Sequence, residues 1–415
     1  MLDILADRTY RHLFLAQVVA LLGTGLATVA LGLLAYHLAG DGAAMVLGTV
    51  FTIKMVAYVG IAPIAGAFAD RVPRRALLVT LDLVRAGVAL ALPFVTEVWQ
   101  VYVLIFLLQS ASAAFTPMFQ ATIPDILPDE ARYTRALSLS RLAYDLENIV
   151  SPMLAALLLA VVSYNTLFLG TVAGFIASAL LVVSVMLPSP SPSAPRGVYD
   201  RTTRGIRVYL ATPRLRGLLA LNLASAAAGA MVLVNSVVLV RGSLGLSQSA
   251  LAWTMFAFGA GSMSAALALP KLLGTLPDRR VMFGGAALMV ITLLGLGATV
   301  LVTGLSWFML LTAWLLVGLG YSAVLTPSGR LLRRSANAAD RPALFAAQFA
   351  LSHTCWLVTY PLSGWLMTAY GIVPALVGLA LIAGIGVLTA LRLWPANDPA
   401  EHSHACVVDE SHPCD

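Results

Sequence analysis

Six charged side chains lie inside long apolar stretches of the sequence, where few charges are expected. A charge at the centre of a bilayer costs about 3 kcal/mol or more, so such residues usually face a cavity or a partner. Acidic members can carry protons or bind cations, and basic members can pair with them or bind anions. The acidic residues are Asp82, Asp145 and Glu147, and the basic residues are Lys54, Arg85 and Arg141.

Spacing indicates which of these residues pair. Asp82 and Arg85 are three positions apart, and Arg141 and Asp145 are four apart, so each pair shares a helix face. We interpret Asp82 and Arg85 as a structural pair. For Arg141 and Asp145 two interpretations stay open: a self-contained ion pair, or an arrangement in which Asp145 or Glu147 carries a proton or binds a cation.

A polar stripe continues along the same predicted helix. Asp145, Asn148 and Pro152 follow Arg141 at helical spacing and lie on one face, whereas Glu147 faces another direction. Burial favours the neutral form of a carboxyl group and a nearby cation favours the charged form, so helix movement can switch proton loading. The sequence therefore predicts a proton or ion path along this helix.

His353 is a second kind of candidate, because it lies near the middle of an apolar run. Imidazole titrates close to physiological pH and binds transition metals. A histidine whose ring is satisfied by a neighbouring hydroxyl is the alternative. Lys54 also lies near the middle of its run, and a cation beside His353 would oppose metal binding while favouring an anionic substrate or a gating pair.

The last 15 residues concentrate metal-ligating side chains. Three of the six histidines and two of the three cysteines fall there: His402, His404, Cys406, His412 and Cys414. Imidazole and thiolate together suit nickel, cobalt, zinc or copper, although the spacing matches no zinc-finger pattern. A tail this short and polar orders when it binds metal. The alternative is a solvated tail in which these residues have no role.

Composition identifies the setting of these residues. Of the 415 residues, 60% are hydrophobic and 11% are charged, whereas soluble domains carry about 25% charged residues. A soluble chain of this length cannot bury so much apolar surface in one or two cores, so the sequence predicts an all-α membrane protein with many spans. It contains no phosphate-binding G-x-x-x-x-G-K-[ST] motif, and we predict neither an enzyme nor a cofactor.

Twelve apolar stretches are long enough to cross a bilayer, which needs about 20 apolar residues. Of the 25 lysines and arginines, 21 lie in the segments on the side of the N-terminus, while Arg241 lies on the opposite side. This bias predicts cytoplasmic termini, and it explains the net charge of +6 without a nucleic-acid partner. The predicted spans are 13–36, 44–68, 76–95, 99–120, 137–160, 165–187, 215–240, 249–270, 281–303, 306–326, 343–368 and 372–394.

The loop after the second span carries a sequence motif. Gly66, Asp70, Arg71, Arg74 and Arg75 form the pattern G-x-x-x-D-R-x-x-R-R. This loop resembles the signature loop of the major facilitator superfamily, and the twelve spans and the long central loop extend the resemblance over residues 8–394. The resemblance implies two six-helix bundles that rock around a central cavity without ATP hydrolysis. It also implies that the motif locks one conformation.

The central loop divides the chain into regions. The Arg-rich stretch 201–216 of this loop is predicted to form one helix at the membrane surface, attracted by anionic lipid. The predicted regions are an N-terminal six-helix bundle (1–187), a cytoplasmic linker (188–214), a C-terminal six-helix bundle (215–394) and a cytoplasmic His/Cys tail (395–415).

The resemblance also implies that spans one, four, seven and ten line the cavity. With span five, they supply five polar candidates: Gln17, Gln109, Asn148, Asn222 and Asn235. The alternative for each is hydrogen bonding or packing between helices. Because spans two and eleven meet in this fold, the resemblance places Lys54 near His353.

The leading hypothesis is a proton-driven secondary exporter of the bacterial inner membrane that moves divalent transition metal ions or a metal chelate outward. The tail is similar to the His-rich tails of nickel- and cobalt-resistance exporters in this superfamily, although Cys414 stands where those tails have another histidine. The chief alternative is export of an amphipathic drug or siderophore, and a third is a non-transporting membrane sensor. We expect a monomer in contact with membrane lipid and with its small-molecule or metal-ion substrate.

Overall fold

The computed structural model describes residues 2–39, 43–68, 71–159, 161–188, 198–337 and 340–396. Within these ranges the regular structure is helical and no strand occurs. The described residues include two short helices, α7 (Val198–Ala211) and α12 (Ser328–Arg334). The twelve described helices of 18 residues or more are α1 (Arg8–Ala39), α2 (Ala43–Phe68), α3 (Arg74–Ala91), α4 (Val98–Ile126), α5 (Glu130–Leu159), α6 (Tyr164–Val183), α8 (Pro213–Val237), α9 (Gln248–Thr275), α10 (Asp278–Thr303), α11 (Trp307–Leu325), α13 (Arg341–Tyr370) and α14 (Ile372–Leu393).

The long helices have the composition of a multi-pass membrane protein. In the described ranges, ten of them combine the length and the apolar content that are needed to cross a bilayer. The other two, α5 and α13, are 30 residues long each but contain the polar side chains of predicted spans five and eleven. The chain is therefore an all-α membrane protein, and the membrane crossing of α5 and α13 stays a prediction.

Side chains at the helix ends explain where two of these helices begin. At the start of α4 the backbone N–H of Glu97 donates to the Gln100 side chain over 3.1 Å, while the Glu97 side chain accepts from the N–H of Gln100. At the start of α9 the Ser247 hydroxyl accepts from the N–H of Ala250 over 3.3 Å. Such caps satisfy N–H groups that have no partner within the helix.

The long helices pack in two halves. In the N-terminal half, α1–α6, helix α1 packs against α6 and α2 against α4. In the C-terminal half, α8–α14, helix α8 packs against α14 and α9 against α11. The halves meet where α2 packs against α13 and where α5 packs against α9. These two helix pairs therefore form most of the contact between the halves.

Ion pairs join the halves at the end of the bundle where α1 begins and α14 ends, which we call the terminal face. Asp125 at the end of α4 is bound by Arg74 of its own half and by Arg341 of the other half. Both partners and the carboxylate are mostly buried, so bulk water screens these contacts weakly. Asp125 is thus shared between the halves.

Helix α12 supplies a second group of links at the terminal face. Arg330 and Arg334 both bind Glu130 at the start of α5, Arg330 over 2.7 Å. The same arginines bind Asp278 of their own half over 3.1 and 2.7 Å, respectively. Arg333 donates to the backbone carbonyl of Pro128 across the interface. The arginines of α12 therefore link the two halves at the terminal face.

The motif loop lies beside these ion pairs. Arg74, the first residue of α3, binds the shared Asp125 described above. Arg75 lies 3.6 Å from the sulfur of Met186, and the side chain of Arg71 is exposed. Asp70 lies outside the described residues. The structure thus brings one motif arginine into the contact between the halves.

Gly66, the first residue of the motif, lies where α2 touches α13. A Cβ atom at this position would be 2.7 Å from the Cβ of the buried Ala346. Real Cβ atoms do not approach so closely, so glycine lets the two helices, and with them the two halves, come into contact.

Helix α7 differs from the predicted surface helix. The single helix expected over 201–216 is wrong, because α7 ends at Ala211 and α8 begins at Pro213. Proline has no N–H to donate and favours the first turn of a helix, so a new helix starts there. Helix α7 packs against both α2 and α13, one from each half, instead of resting on lipid alone.

We predict that Gly66→Val lowers the stability of the protein, because its side chain must push α2 away from α13. Overpacking of this kind costs about 1–3 kcal/mol. The matched control is Gly60→Val on the same helix, since a Cβ at Gly60 meets nothing within 4 Å. Thermal unfolding in detergent should show a lower melting temperature for the first variant. Equal melting temperatures for the two variants would refute the close-contact role.

We predict that Asp125→Asn favours opening of the terminal face, because it weakens the link to Arg341. Loss of a charged hydrogen bond is worth about 1.5–3 kcal/mol, or about a tenfold or larger change in population. Spin labels at exposed Ala131 and Thr275, one in each half, report the distance across this face in a protein without its native cysteines.

The matched control for this measurement is Asp3→Asn. Asp3 also binds an arginine at the terminal face, Arg135, but both residues belong to the N-terminal half. A longer label distance is expected for Asp125→Asn and an unchanged one for Asp3→Asn. The same distance distribution in both variants would show that Asp125 does not hold the halves together.

Candidate functional site: a cavity between the two halves

A cavity of about 690 Å³ lies between the halves. Its wall extends from Leu332 and Phe345 near the terminal face to Leu31 and Leu47 at the opposite ends of α1 and α2. Most of the wall belongs to the N-terminal half, and α11–α13 with their connections supply the rest. The aromatic residues of the wall are Phe51, Tyr58, Phe115, Phe119, Tyr144, Phe175, Phe345 and Phe349.

Lys54 and His353 line this cavity and approach the same tyrosine. The Lys54 ammonium lies 5.5 Å from the centroid of the Tyr58 ring. The Tyr58 and His353 rings meet in a T-shaped contact, with 4.8 Å between the centroids. Phe349 covers another side of His353 at 4.2 Å. The Tyr58 ring thus lies between Lys54 and His353 and contacts both.

A hydrogen bond fixes the tautomer of His353. Its Nδ1 lies 2.7 Å from the backbone carbonyl oxygen of Phe349, one helical turn earlier. Because a carbonyl oxygen can accept but not donate, Nδ1 carries the proton in the neutral ring. The Nε2 atom is then the acceptor of the imidazole, which can receive a hydrogen bond from a water molecule or a substrate.

Arg141 and Asp145 form the expected pair and extend it to the other half. Arg141 Nη2 lies 2.6 Å from Asp145 Oδ1, and Arg141 Nε donates to the Ser262 hydroxyl of α9 over 3.0 Å. The guanidinium also stacks over Tyr321 of α11, 4.8 Å from the ring centroid. Arg141 reaches the cavity wall, whereas Asp145 is 2% exposed and is held by this arginine.

Glu147 is the one carboxylate among the described residues of the cavity wall. Its side chain makes no ion pair or hydrogen bond to another described side chain. Lys54, on the facing helix α2, is the cation that acts on it electrostatically. Glu147 therefore differs from Asp145, since its carboxyl group faces the cavity and has not been taken up by a neighbouring arginine.

Asp82 and Arg85 pair inside the N-terminal half, as their spacing predicts. Asp82 also accepts a hydrogen bond of 2.8 Å from the Ser178 hydroxyl. The Arg85 guanidinium lies between the rings of Phe115 and Phe175, 4.0 and 4.5 Å from their centroids. Its Nε has no hydrogen-bond partner among the described residues, and the side chain reaches the cavity wall.

The other polar candidates divide into two groups. Gln17 and Gln109 line the cavity, and Gln17 accepts a hydrogen bond of 3.0 Å from Ser140. Asn222 and Asn235 are buried in the C-terminal half and do not line it.

The two buried asparagines have different surroundings. The amide of Asn235 donates to the Ser363 hydroxyl over 2.9 Å, whereas the Asn222 amide has no hydrogen-bond partner in the described part of the chain. The side chain of Asn148 lies outside the described residues.

The aromatic surroundings of the charged groups are what sequence reasoning missed. Tyr58 follows Lys54 by four residues and Phe349 precedes His353 by four, so helical spacing places each ring beside its polar neighbour. That signal was available. The stacking of Tyr321 on Arg141 was not, because it joins positions in different halves.

The predicted tail site cannot be placed in the fold. His402, His404, Cys406, His412 and Cys414 all lie outside the described residues. Within the described residues, no group of three or more His, Cys, Asp or Glu side chains could hold a metal ion. The structure thus offers a cavity for a transported molecule, and the metal hypothesis depends on the tail.

Comparison with known sequences supports this architecture. Residues 13–234 and 217–405 match the profile described as Major Facilitator Superfamily. Over 152 residues the chain is 29% identical to Macrolide efflux protein A of Streptococcus pyogenes. This aligned segment covers 35% of this chain and 37% of that protein. Over 210 residues it is 24% identical to the Uncharacterized MFS-type transporter YfiS of Bacillus subtilis (strain 168), 48% of this chain and 49% of that one. The chain thus spans less than half the length of these curated relatives.

Solved structures share the fold at low sequence identity. The human organic anion transporter MFSD10 (TETRAN) superposes with a TM-score of 0.79 at 14% identity, over 92% of this chain and 99% of that one. A variant of the E. coli fucose:proton symporter FucP gives a TM-score of 0.72 at 14% identity, over 92% of this chain and 97% of that one.

The family profile covers both halves, and the fold extends over nearly the whole described chain. The chain therefore belongs to the major facilitator superfamily, whose members carry small molecules across membranes and are not enzymes.

Proposed function

We propose that this protein is a proton-coupled exporter of an amphipathic organic compound. The observation that carries the proposal is the cavity, whose wall combines eight aromatic rings with one cavity-facing carboxylate, Glu147. Aromatic surface binds apolar parts of a molecule, and scattered polar groups orient it. Closure of the terminal face by ion pairs supports a state in which the cavity communicates with the opposite side.

The size and chemistry of the cavity favour an organic molecule over a bare metal ion. A volume of about 690 Å³ lies within the range of about 300–1,000 Å³ that holds drug-sized ligands. A divalent ion needs several oxygen, nitrogen or sulfur ligands at one point, and a nearby ammonium such as Lys54 opposes it. The relatives named as macrolide efflux proteins also support export of an organic compound.

Glu147 is proposed as the proton carrier. A group that couples proton flow to transport must be reachable from the cavity and must gain and lose its proton as its surroundings change. Glu147 faces the cavity, and Lys54 can stabilise its charged form. In this scheme His353 lies on the same proton path and contributes Nε2 as a hydrogen-bond acceptor. Arg141, paired with Asp145, links the halves.

We propose cytoplasmic termini in a bacterial inner membrane, because of the distribution of Lys and Arg. The motif residues Gly66, Asp70, Arg71, Arg74 and Arg75 are proposed to help lock the terminal face. Metal export stays a prediction that depends on the His/Cys tail, and a monomer stays the expected state.

We predict that Glu147→Gln abolishes proton-driven transport but not substrate exchange. In inside-out vesicles with an acidic interior, the wild-type protein should accumulate the macrolide erythromycin. The variant should lose this gradient-driven uptake by about tenfold or more, because its amide cannot bind or release a proton, and it should still exchange erythromycin across the membrane without a gradient. The matched control is Glu97→Gln, an exposed residue that keeps its capping oxygen.

Two results would contradict these proposals separately. If the wild-type protein neither accumulates nor exchanges erythromycin, export of this organic class is refuted. If transport occurs and Glu147→Gln retains normal gradient-driven uptake, Glu147 is not the proton carrier.

Asp145→Asn should behave differently, because it leaves the half-buried guanidinium of Arg141 without its counter-charge. Removing one partner of a buried ion pair costs about 3–5 kcal/mol. We therefore expect a lower melting temperature, with exchange and gradient-driven transport reduced together. The double variant Arg141→Gln/Asp145→Asn should recover part of the stability. A stable Asp145→Asn protein that loses gradient-driven uptake alone would instead make Asp145 the carrier.

A further inference from the structure

The linker helix α7 contacts a residue of the cavity wall through the side chain of Tyr209. Tyr209 on this helix is fully buried, and its phenol donates a hydrogen bond to Oε1 of Gln348 on α13. Gln348 lines the cavity. A residue of the connection between the halves thus contacts a residue of the proposed binding site.

Two further contacts fix α7 on α13. Arg204 binds both oxygens of Asp340, just before the start of α13, with distances of 2.7 and 2.9 Å. The backbone of Gly205 lies so close to α13 that an added Cβ would be 2.2 Å from the carbonyl oxygen of Ala343. Paired hydrogen bonds and direct backbone contact leave α7 little freedom to shift. The position of Tyr209 is therefore defined by the packing of its own helix.

The hydrogen bond from Tyr209 determines which end of the Gln348 amide is free. Burial holds the pKa of the Tyr209 phenol well above its usual value, so its O–H stays protonated and can donate. A carboxamide has one oxygen that accepts and one nitrogen that donates two hydrogens. With Oε1 engaged by the phenol, Nε2 is the end of Gln348 that remains to serve the cavity, and it is a donor.

The charged groups of the wall add to this donor character. Lys54, Arg85 and Arg141 are donors without any acceptor atom, and in the described part of the chain the Nε of Arg85 has no hydrogen-bond partner. Glu147 is the one carboxylate of the described wall. A molecule that meets these groups gains most from carrying hydrogen-bond acceptors, because each buried donor needs one.

We propose that Tyr209 is a positioning residue that orients the Gln348 amide as a hydrogen-bond donor toward the transported molecule. The molecule is then an amphiphile rich in acceptor oxygens, such as ester, ketone, ether or hydroxyl groups. This inference rests on the proposed function and deepens it, since it names the chemical class that the cavity selects.

The experiment measures binding of erythromycin, which carries ester, ketone, ether and hydroxyl oxygens, to the full-length protein in detergent. Tyr209→Phe and Gln348→Ala should each raise the dissociation constant about tenfold. The double variant should raise it no further than either single one, because one change removes the oriented donor and the other removes its orientation. Gln348→Glu should also weaken binding, since it keeps an oxygen for Tyr209 and replaces the donor by an acceptor.

The matched control is Tyr10→Phe. This change removes another buried phenol, whose hydrogen bond of 3.4 Å goes to the carbonyl of Ala136 within the N-terminal half. It should leave the dissociation constant unchanged. If Tyr209→Phe binds erythromycin as tightly as the wild type does, or if the two single effects add in the double variant, the proposal is overturned.

A second measurement separates this inference from the proposed function. If the wild-type protein does not bind erythromycin at all, the proposed organic substrate class fails. Thermal unfolding of the wild type, the two single variants and the double variant then tests the contact. A real hydrogen bond makes the effects of Tyr209→Phe and Gln348→Ala on the melting temperature non-additive. Additive effects there would overturn the positioning role independently of any substrate.

Discussion

The structure depends on the absence of water from the hydrocarbon layer. A charge placed there must find a partner, a cavity or an aromatic surface. The protein uses all three solutions. Asp82 and Arg85 neutralise each other between phenylalanine rings, and Asp145 is held by Arg141. Glu147 instead faces the cavity and pairs with no other side chain that the structure describes, so a transported molecule or proton can reach its charge.

The same constraint decides how far the sequence could be interpreted. Apolar length locates a helix well because the bilayer fixes it, and span 306–326 corresponds to α11 at Trp307–Leu325. Pairs within one helix, such as Arg141 and Asp145, follow from spacing. Asn235 shows the limit: its partner Ser363 lies on another helix, and no spacing rule says which side of a helix faces a cavity.

The linker shows a second limit of sequence reasoning. Composition alone suggests that an Arg-rich segment between two bundles lies on lipid, since positive charge attracts anionic head groups. Close backbone contact between α7 and α13 overrides this tendency, and Arg204 binds the carboxylate of Asp340 within the protein. Such a contact joins residues about 140 positions apart, and it becomes visible when the fold is known.

The shared carboxylates at the terminal face have a consequence for the speed of conformational change. When the halves separate, Asp125 loses Arg341 but keeps Arg74, and Arg334 loses Glu130 but keeps Asp278. Asp125 and Arg334 therefore keep one charged partner when the halves separate, whereas Glu130 loses both of its arginine partners. A closure in which some ions keep a partner throughout can be stable at rest and still have a low activation barrier for opening.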